Sequence, residues 1–111
     1  MAISQMRVTR IKEARGHVLM ALYTSNGLEV PLKTGWIVDA FRTMPEISRE
    51  IPGEIGYMAE KGYIEIVRRA ETPELQPTSA IYIRLTARGK DLVEGSVAED
   101  PAVIFGDGVR G

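Results

Sequence analysis

Hydrophobic positions near the start of the chain repeat with the spacing of a helix. One stripe holds four aliphatic side chains: Val8, Ile11, Val18 and Leu22. Charged residues fall away from that stripe, which is typical of an amphipathic helix packed against a core. We therefore predict a first helix over residues 6–23. The Ser-Asn-Gly sequence at residues 25–27 should end it, because Asn-Gly readily adopts the left-handed conformation of a helix end.

Shorter segments follow. Residues 28–30 have an apolar side chain at each end and predict a short first strand. Residues 33–43 predict a second helix, whose buried side would hold Trp36, Ile37, Ala40 and Phe41. Because tryptophan and phenylalanine are large, we expect this helix to supply the aromatic part of the core.

A second helical stripe predicts a third helix over residues 47–61. Its core positions recur at spacings of four and three: Ile47, Ile51, Ile55 and Met58. Two starts are compatible with this pattern. Ser48 could be the N-cap with Arg49 as the first helical residue, or the helix could start at Ile51 with Pro52 as its first helical residue.

Residues 63–67 and 80–85 alternate with a period of two, which predicts two strands with one buried face. The polar, proline-bearing loop over residues 68–79 is too long for a tight turn. Tyr63 and Tyr82 would lie on the outer face of this hairpin and could pair across the strands.

A last helix is predicted over residues 87–94, with Thr86 as its N-cap and Leu92 and Val93 facing inward. Residues 96–111 are expected to form a mobile tail, because they are rich in glycine. The tail holds one apolar island, Val103-Ile104-Phe105.

This order of elements resembles the winged helix-turn-helix superfamily of small bacterial and phage transcription regulators. Two segments carry the resemblance, Ile55-Gly-Tyr-Met-Ala-Glu-Lys-Gly-Tyr-Ile64 and Leu85-Thr-Ala-Arg-Gly-Lys-Asp-Leu92. They look like a recognition helix running into a strand and like the junction of the last strand and last helix. The resemblance covers about residues 6–95. It implies an α+β domain over residues 1–95 in the order α-β-α-α-β-β-α, followed by the flexible tail at residues 96–111.

In that superfamily the third helix enters the major groove of DNA and the wing touches the neighbouring backbone. The resemblance therefore implies a regulator that binds double-stranded DNA. The DNA-binding residues it implies on this chain are Ser48, Arg49, Gly53 and Tyr57 of the third helix, and Arg68, Arg69 and Arg84 of the hairpin. Arg49 is the one best suited to contact base edges.

The charge of the chain keeps an alternative open, a winged-helix adaptor that binds protein and never touches DNA. The net charge is −1, whereas a dedicated DNA-binding domain usually has a basic excess. Gly53 and Gly56 could let either DNA or another helix approach the third helix closely. We interpret one basic run on the first helix as a solvated face: Arg7, Arg10, Lys12 and Arg15.

Other chemistry is sparse. The chain has no cysteine and a single histidine, His17, so the usual zinc sites are not available. It has neither the P-loop nor the Rossmann glycine spacing, and no candidate nucleophile has a paired base. We predict no enzyme activity, no cofactor and no metal. The sequence also predicts no membrane span, and the lack of cysteine agrees with a cytoplasmic location.

The first helix and the apolar island offer surfaces for a homodimer, since either could cross to a second copy. Two alternatives for the island stay open. It could pack onto its own domain, or it could remain disordered.

Overall fold

The computed structural model describes residues 4–67 and 81–106. Within these ranges the elements are α1 (Gln5–Thr24), β1 (Leu32–Lys33), α2 (Thr34–Ala40), α3 (Pro45–Ser48), α4 (Ile51–Glu60), β2 (Ile64–Val67), β3 (Tyr82–Leu85) and α5 (Ala87–Glu94). The predicted α+β class is confirmed, and the layout is compatible with a winged helix, although it has one helix more than the predicted order. The predicted wing, with Arg68 and Arg69, lies outside the described residues.

Helix α1 is the element against which α3, α4, α5 and β3 pack. Ser4 caps its start by accepting a hydrogen bond from the N–H of Arg7 at 3.2 Å. Asn26, at a φ of 58°, lies in the turn that ends it. The predicted helix over residues 6–23 is confirmed, with one more residue at each end. Its buried positions are Ala14, Gly16, Val18, Leu19 and Leu22, whereas Val8 and Ile11 are only partly buried.

The three strands form an antiparallel sheet in the order β1-β3-β2. Ile64 pairs with Leu85 in the hairpin, and Leu32 pairs with Ile83. Three of these side chains, those of Ile64, Ile83 and Leu85, are buried. The sheet thus contributes one apolar face to the same core as the helices.

The first strand lies at Leu32–Lys33, so the prediction of a strand over residues 28–30 is wrong. The N–H groups of Glu29 and Val30 both donate to the Asn26 carbonyl at 3.1 Å. These bonds coil the residues into the turn that follows α1. A three-residue pattern is too short for its period to separate a strand from a turn.

Tyr63 lies just before β2 and is buried, with 4% of its surface exposed. Its hydroxyl donates to the Asp100 carboxylate at 2.6 Å. Tyr82 lies opposite Val67 in the sheet, so the predicted outer-face pair of tyrosines is wrong. The reason is local: Gly62, at a φ of 82°, turns the chain so that Tyr63 points into the molecule before the strand begins.

The predicted third helix over residues 47–61 is two helices, α3 and α4, separated by residues 49–50. Pro52 explains the division, because it has no N–H to donate to the carbonyl four residues earlier. Ser48 is the last residue of α3, so its prediction as an N-cap is wrong. The alternative start at Ile51 is confirmed, but the first helical residue is Ile51 and not Pro52. The predicted core positions are all buried: Ile47, Ile51, Ile55 and Met58.

Helix α2 is shorter than the predicted range of 33–43 and turns its tryptophan outward. Trp36 is 67% exposed, so the prediction that it lies in the core is wrong, whereas Ile37 is buried as predicted. Thr34 is fully buried, and its hydroxyl donates to the Ile81 carbonyl at 2.6 Å. Because residues two apart lie on nearly opposite sides of a helix, this contact directs Trp36 to solvent.

Helix α5 matches the prediction for residues 87–94. Thr86 caps it by accepting a backbone hydrogen bond from its first turn, and Gly95 ends it at a φ of 76°. Leu92 and Val93 are buried, as predicted.

The C-terminal segment, residues 97–106, packs along α1. The Ile104 N–H donates to the Lys12 carbonyl at 3.1 Å, and Val103 is 7% exposed. Gly16 makes this close approach possible, since a Cβ there would overlap the Ile104 carbonyl oxygen.

The prediction of a mobile tail is therefore wrong for residues 97–106, while residues 107–111 lie outside the described part of the chain. Of the alternatives for the apolar island, the structure has it packed onto its own domain. Composition could not predict this, because the contact depends on a glycine that lies far away in the sequence. A homodimer built through the island would require the segment to leave this position.

Candidate nucleic-acid interface

The face of α4 opposite its buried isoleucines is open. Its exposed residues are Pro52, Gly53, Gly56 and Glu60. A Cβ added at Gly53 or Gly56 would meet nothing within 4 Å. These residues offer few donors for base edges, which are read mainly by Arg, Lys, Asn and Gln. The face is therefore better suited to close approach than to sequence recognition.

Tyr57 borders this face and is held by Arg15 of α1. The guanidinium carbon of Arg15 lies 3.8 Å from the centroid of the tyrosine ring, a cation–π contact. Arg15 also donates to Glu54 at 2.8 Å and to the Ala102 carbonyl at 2.9 Å. Its side chain is only 14% exposed, so the interpretation of the basic run as a solvated face is wrong for this arginine.

A cleft of about 470 Å³ opens beside the N-terminal end of α4. We call it the arginine cleft, and its lining residues are Ser4, Met6, Arg7, Arg10, Arg49 and Glu50. Arg7 Nε lies 3.2 Å from the Glu50 carboxylate. Within the described part of the chain, the guanidinium groups of Arg10 and Arg49 have neither a hydrogen bond nor an ion pair. Two positive charges therefore line the cleft with no partner in residues 4–67 and 81–106.

Arg84, expected at the DNA backbone, is bound to Glu65 instead. The two residues lie opposite each other in the hairpin, and their charged groups are 2.9 Å apart. Cross-strand pairs of this kind stabilise a sheet. Arg68 and Arg69, the other hairpin arginines of the expected site, lie outside the described residues.

Of the predicted site residues, Gly53 and Tyr57 belong to α4, and Arg49 lies in the turn between α3 and α4. Ser48 is partly buried at the end of α3. Sequence reasoning did not place Arg7 and Arg10 at this site. Their spacing of three was the available signal, since it puts both on one side of a helix.

A second charged cluster is fully partnered. Asp100 accepts a hydrogen bond from the Tyr63 hydroxyl and lies 3.3 Å from the Lys61 amine. Burial, together with the hydrogen bond to Asp100, raises the pKa of Tyr63 above its ordinary 10.0. Burial also tends to raise the pKa of Asp100, but hydrogen bonds from Tyr63, the Ala102 N–H and Lys61 outweigh it and hold that pKa below 3.8. This cluster anchors the C-terminal segment.

In comparisons with known proteins, no family model, no curated protein and no solved structure matches the chain. None of the helices in the described ranges is both long and apolar enough to cross a membrane. The same ranges contain no group of three or more His, Asp or Glu side chains placed to hold a metal ion. The α4 face and the arginine cleft are the candidate functional features of the described ranges.

Proposed function

We propose that the protein binds double-stranded DNA, with the exposed face of α4 against the duplex and the arginine cleft against its phosphates. The proposal depends on one observation: Arg10 and Arg49 have no partner among the described residues and lie beside a helix face that none of those residues covers. Phosphate neutralisation supplies much of the affinity of DNA-binding proteins, so free guanidinium groups are the feature required. Transcription regulation is the role that the resemblance to winged-helix proteins adds, as an analogy of fold.

We expect this binding to depend on phosphate contacts and to discriminate little between sequences. The exposed α4 face lacks the side chains that read base edges. Glu50 and Glu54, which would otherwise repel phosphate, are bonded to Arg7 and Arg15. A dissociation constant of about 10⁻⁴–10⁻⁶ M at physiological salt is typical of sequence-independent binding.

Fluorescence anisotropy with a random-sequence duplex at about 50 and 200 mM salt tests the proposal, because phosphate contacts weaken steeply over this range. Arg49→Ala should weaken binding and lower the salt dependence. Lys90→Ala is the matched control, since it also removes one positive charge but lies beside Tyr23, at the opposite end of α1 from the arginine cleft. A wild-type chain that does not bind at the lower salt concentration would contradict the proposal.

The second candidate is the protein-binding adaptor, favoured by the same open glycine face and by the exposed Trp36. A Cβ at Gly53 or Gly56 meets nothing, so a partner helix could lie close to α4, and tryptophan is enriched at protein interfaces. In that case Gly56→Leu should abolish partner capture in a pull-down, while Arg49→Ala should leave it unchanged. A loss of binding in Arg49→Ala with no loss in Gly56→Leu would instead favour the DNA-binding proposal.

A further inference from the structure

The arginine cleft has a local excess of positive charge. Three arginines and one glutamate line it, in a chain whose net charge is −1. Glu50 is satisfied by Arg7, which donates to its two carboxylate oxygens at 3.2 and 3.4 Å. Arg10 and Arg49 remain, and like charges held together are unfavourable until an anion joins them.

The chemistry of these groups suits an oxyanion such as phosphate. A guanidinium group presents five N–H donors in a planar fork that matches phosphate oxygens two at a time. Arg7 uses two of its donors on Glu50, so its remaining donors are held in a fixed orientation beside the cleft. The start of α1 also contributes partial positive charge from its first turn.

The size and lining of the cleft favour a phosphate that belongs to a larger molecule. Its volume of about 470 Å³ corresponds to roughly sixteen water molecules at about 30 Å³ each. A phosphate group, with five heavy atoms, would leave room on both sides. Met6 lines the cleft and is 66% exposed, which gives an apolar surface for a sugar ring.

We propose that the arginine cleft binds one phosphodiester of the DNA backbone and thereby fixes how α4 lies on the duplex. Arg10 and Arg49 contact the phosphate oxygens, and Arg7 is oriented by Glu50. This assignment rests on the proposed function and deepens it. In this assignment the start of α1 contacts the DNA backbone, a role that the resemblance gives to the wing.

In this arrangement the Glu50 carboxylate weakens phosphate binding at the cleft. Its carboxylate is part of the lining and shares Arg7 with the incoming phosphate. Replacing it with the neutral amide in Glu50→Gln keeps the shape and removes the negative charge, so it strengthens phosphate binding. A gain of affinity on removal of an acid is a sharper sign of a phosphate site than any loss, because damage to the fold does not produce it.

The test is an anisotropy titration of a random-sequence duplex with the full chain and four variants, at several salt concentrations. Arg10→Gln and Arg49→Gln should each weaken binding by about five- to tenfold. Each should lower the steepness of the log K against log salt plot by less than about 0.9, the value for one whole phosphate contact, because the other arginine still contacts the same phosphate. Glu50→Gln should strengthen binding about two- to fivefold. Lys90→Gln, distant from the cleft, should change it by less than about twofold.

A parallel calorimetric titration with inorganic pyrophosphate shows whether the cleft binds phosphate groups in general or only the phosphates of a DNA duplex. Duplex binding that responds to all three cleft variants as described supports the assignment. Duplex binding that none of them changes overturns the assignment and the placement of the cleft against phosphate, and leaves only DNA binding through another surface. Pyrophosphate binding lost in Arg10→Gln, with no duplex binding by the wild type, overturns DNA as the ligand and rejects the proposed function with it. If neither ligand binds the wild type, both proposals fail. Thermal melts confirm that each variant is folded.

Discussion

Arg10 and Arg15 lie five residues apart on α1, belong to the same basic run, and have opposite surroundings. Arg15 has three partners, Glu54, Tyr57 and the Ala102 carbonyl, and is 14% exposed. Arg10 lines an open cleft and is unpartnered among the described residues. One helix thus has a closed middle, covered by the C-terminal segment, and an open start at the arginine cleft. A run of like charges in the sequence is therefore not one functional unit.

The two regions should respond differently to substitution. In the closed region, contacts connect α1 to α4 and to the C-terminal segment, so changes there should appear in the free energy of unfolding. In the open region, removing an unpartnered charge costs the fold little. Changes there should appear in DNA affinity instead.

The largest effect is expected at Gly16, in the closed region. Helix propensity alone predicts that Gly16→Ala gains about 1 kcal/mol. A Cβ there overlaps the Ile104 carbonyl, so the C-terminal segment must move and Val103 loses burial. We expect a net loss of about 2–3 kcal/mol in the free energy of unfolding, measured with urea.

Gly56→Ala is the matched control for Gly16→Ala. Both glycines lie within helices, but a Cβ at Gly56 meets nothing within 4 Å. This variant should therefore gain about 0.5–1 kcal/mol. Similar gains in both variants would mean that the C-terminal segment is not seated against α1, and the distinction between the closed and open regions would collapse.

The two arginines themselves give the next largest effect. Arg15→Met leaves the Glu54 carboxylate, 15% exposed, without its ion-pair partner, and removes the contact with Tyr57. We expect a loss of about 2 kcal/mol in the free energy of unfolding, below the full cost of breaking a deeply buried pair. Arg10→Met should change it by less than about 0.5 kcal/mol, while weakening DNA binding. Equal effects on stability would contradict the comparison.

Much of the fold follows from local patterns in the sequence. The ends of α1 and α5 were predictable because capping residues and glycine stops act within one turn. The core stripe that runs through α3 and α4 was predictable because its period is clear over four residues: Ile47, Ile51, Ile55 and Met58. In each case the determining residues lie close together in the sequence.

The errors fall where a distant partner decides. Trp36 faces solvent because Thr34 is bonded to Ile81, and Arg15 is enclosed because Ala102 lies against it. No local pattern contains either pairing. The same reason applies to the site: resemblance to winged-helix proteins led to Arg49, but the arginine cleft exists only because the start of α1 meets the α3–α4 turn.

A smaller effect, dependent on pH, is expected from Asp100 in the closed region. Its pKa is lowered in the folded state, so its stabilisation is present above the unfolded pKa, near 3.8, and is lost as pH falls through the lower folded value. The pKa of Tyr63 is raised, so its contribution is present below about pH 10 and is lost as pH rises through the higher folded value.

Asp100→Asn should therefore cost about 1 kcal/mol near neutral pH and reduce the loss of stability on acidification. Urea unfolding of the wild type and of Asp100→Asn between about pH 3 and 7 measures this difference in stability. Arg10→Gln is the control, because the open region should leave the pH dependence unchanged. A variant that keeps the wild-type acid dependence would show that Asp100 is not the anchor.

The smallest effect is expected at Trp36, which is exposed to solvent like the residues of the arginine cleft but is apolar. Its side chain is 67% exposed, so Trp36→Ala should change the free energy of unfolding by less than about 0.5 kcal/mol. Trp36 is the only tryptophan, so the fluorescence of the protein measures the exposure of this side chain. In the folded wild type this fluorescence should be quenched readily by acrylamide. A loss of 2 kcal/mol or more, with protected fluorescence, would mean that α2 is rotated to bury Trp36. That rotation would break the bond between Thr34 and Ile81, and with it the attachment of α2 to the sheet.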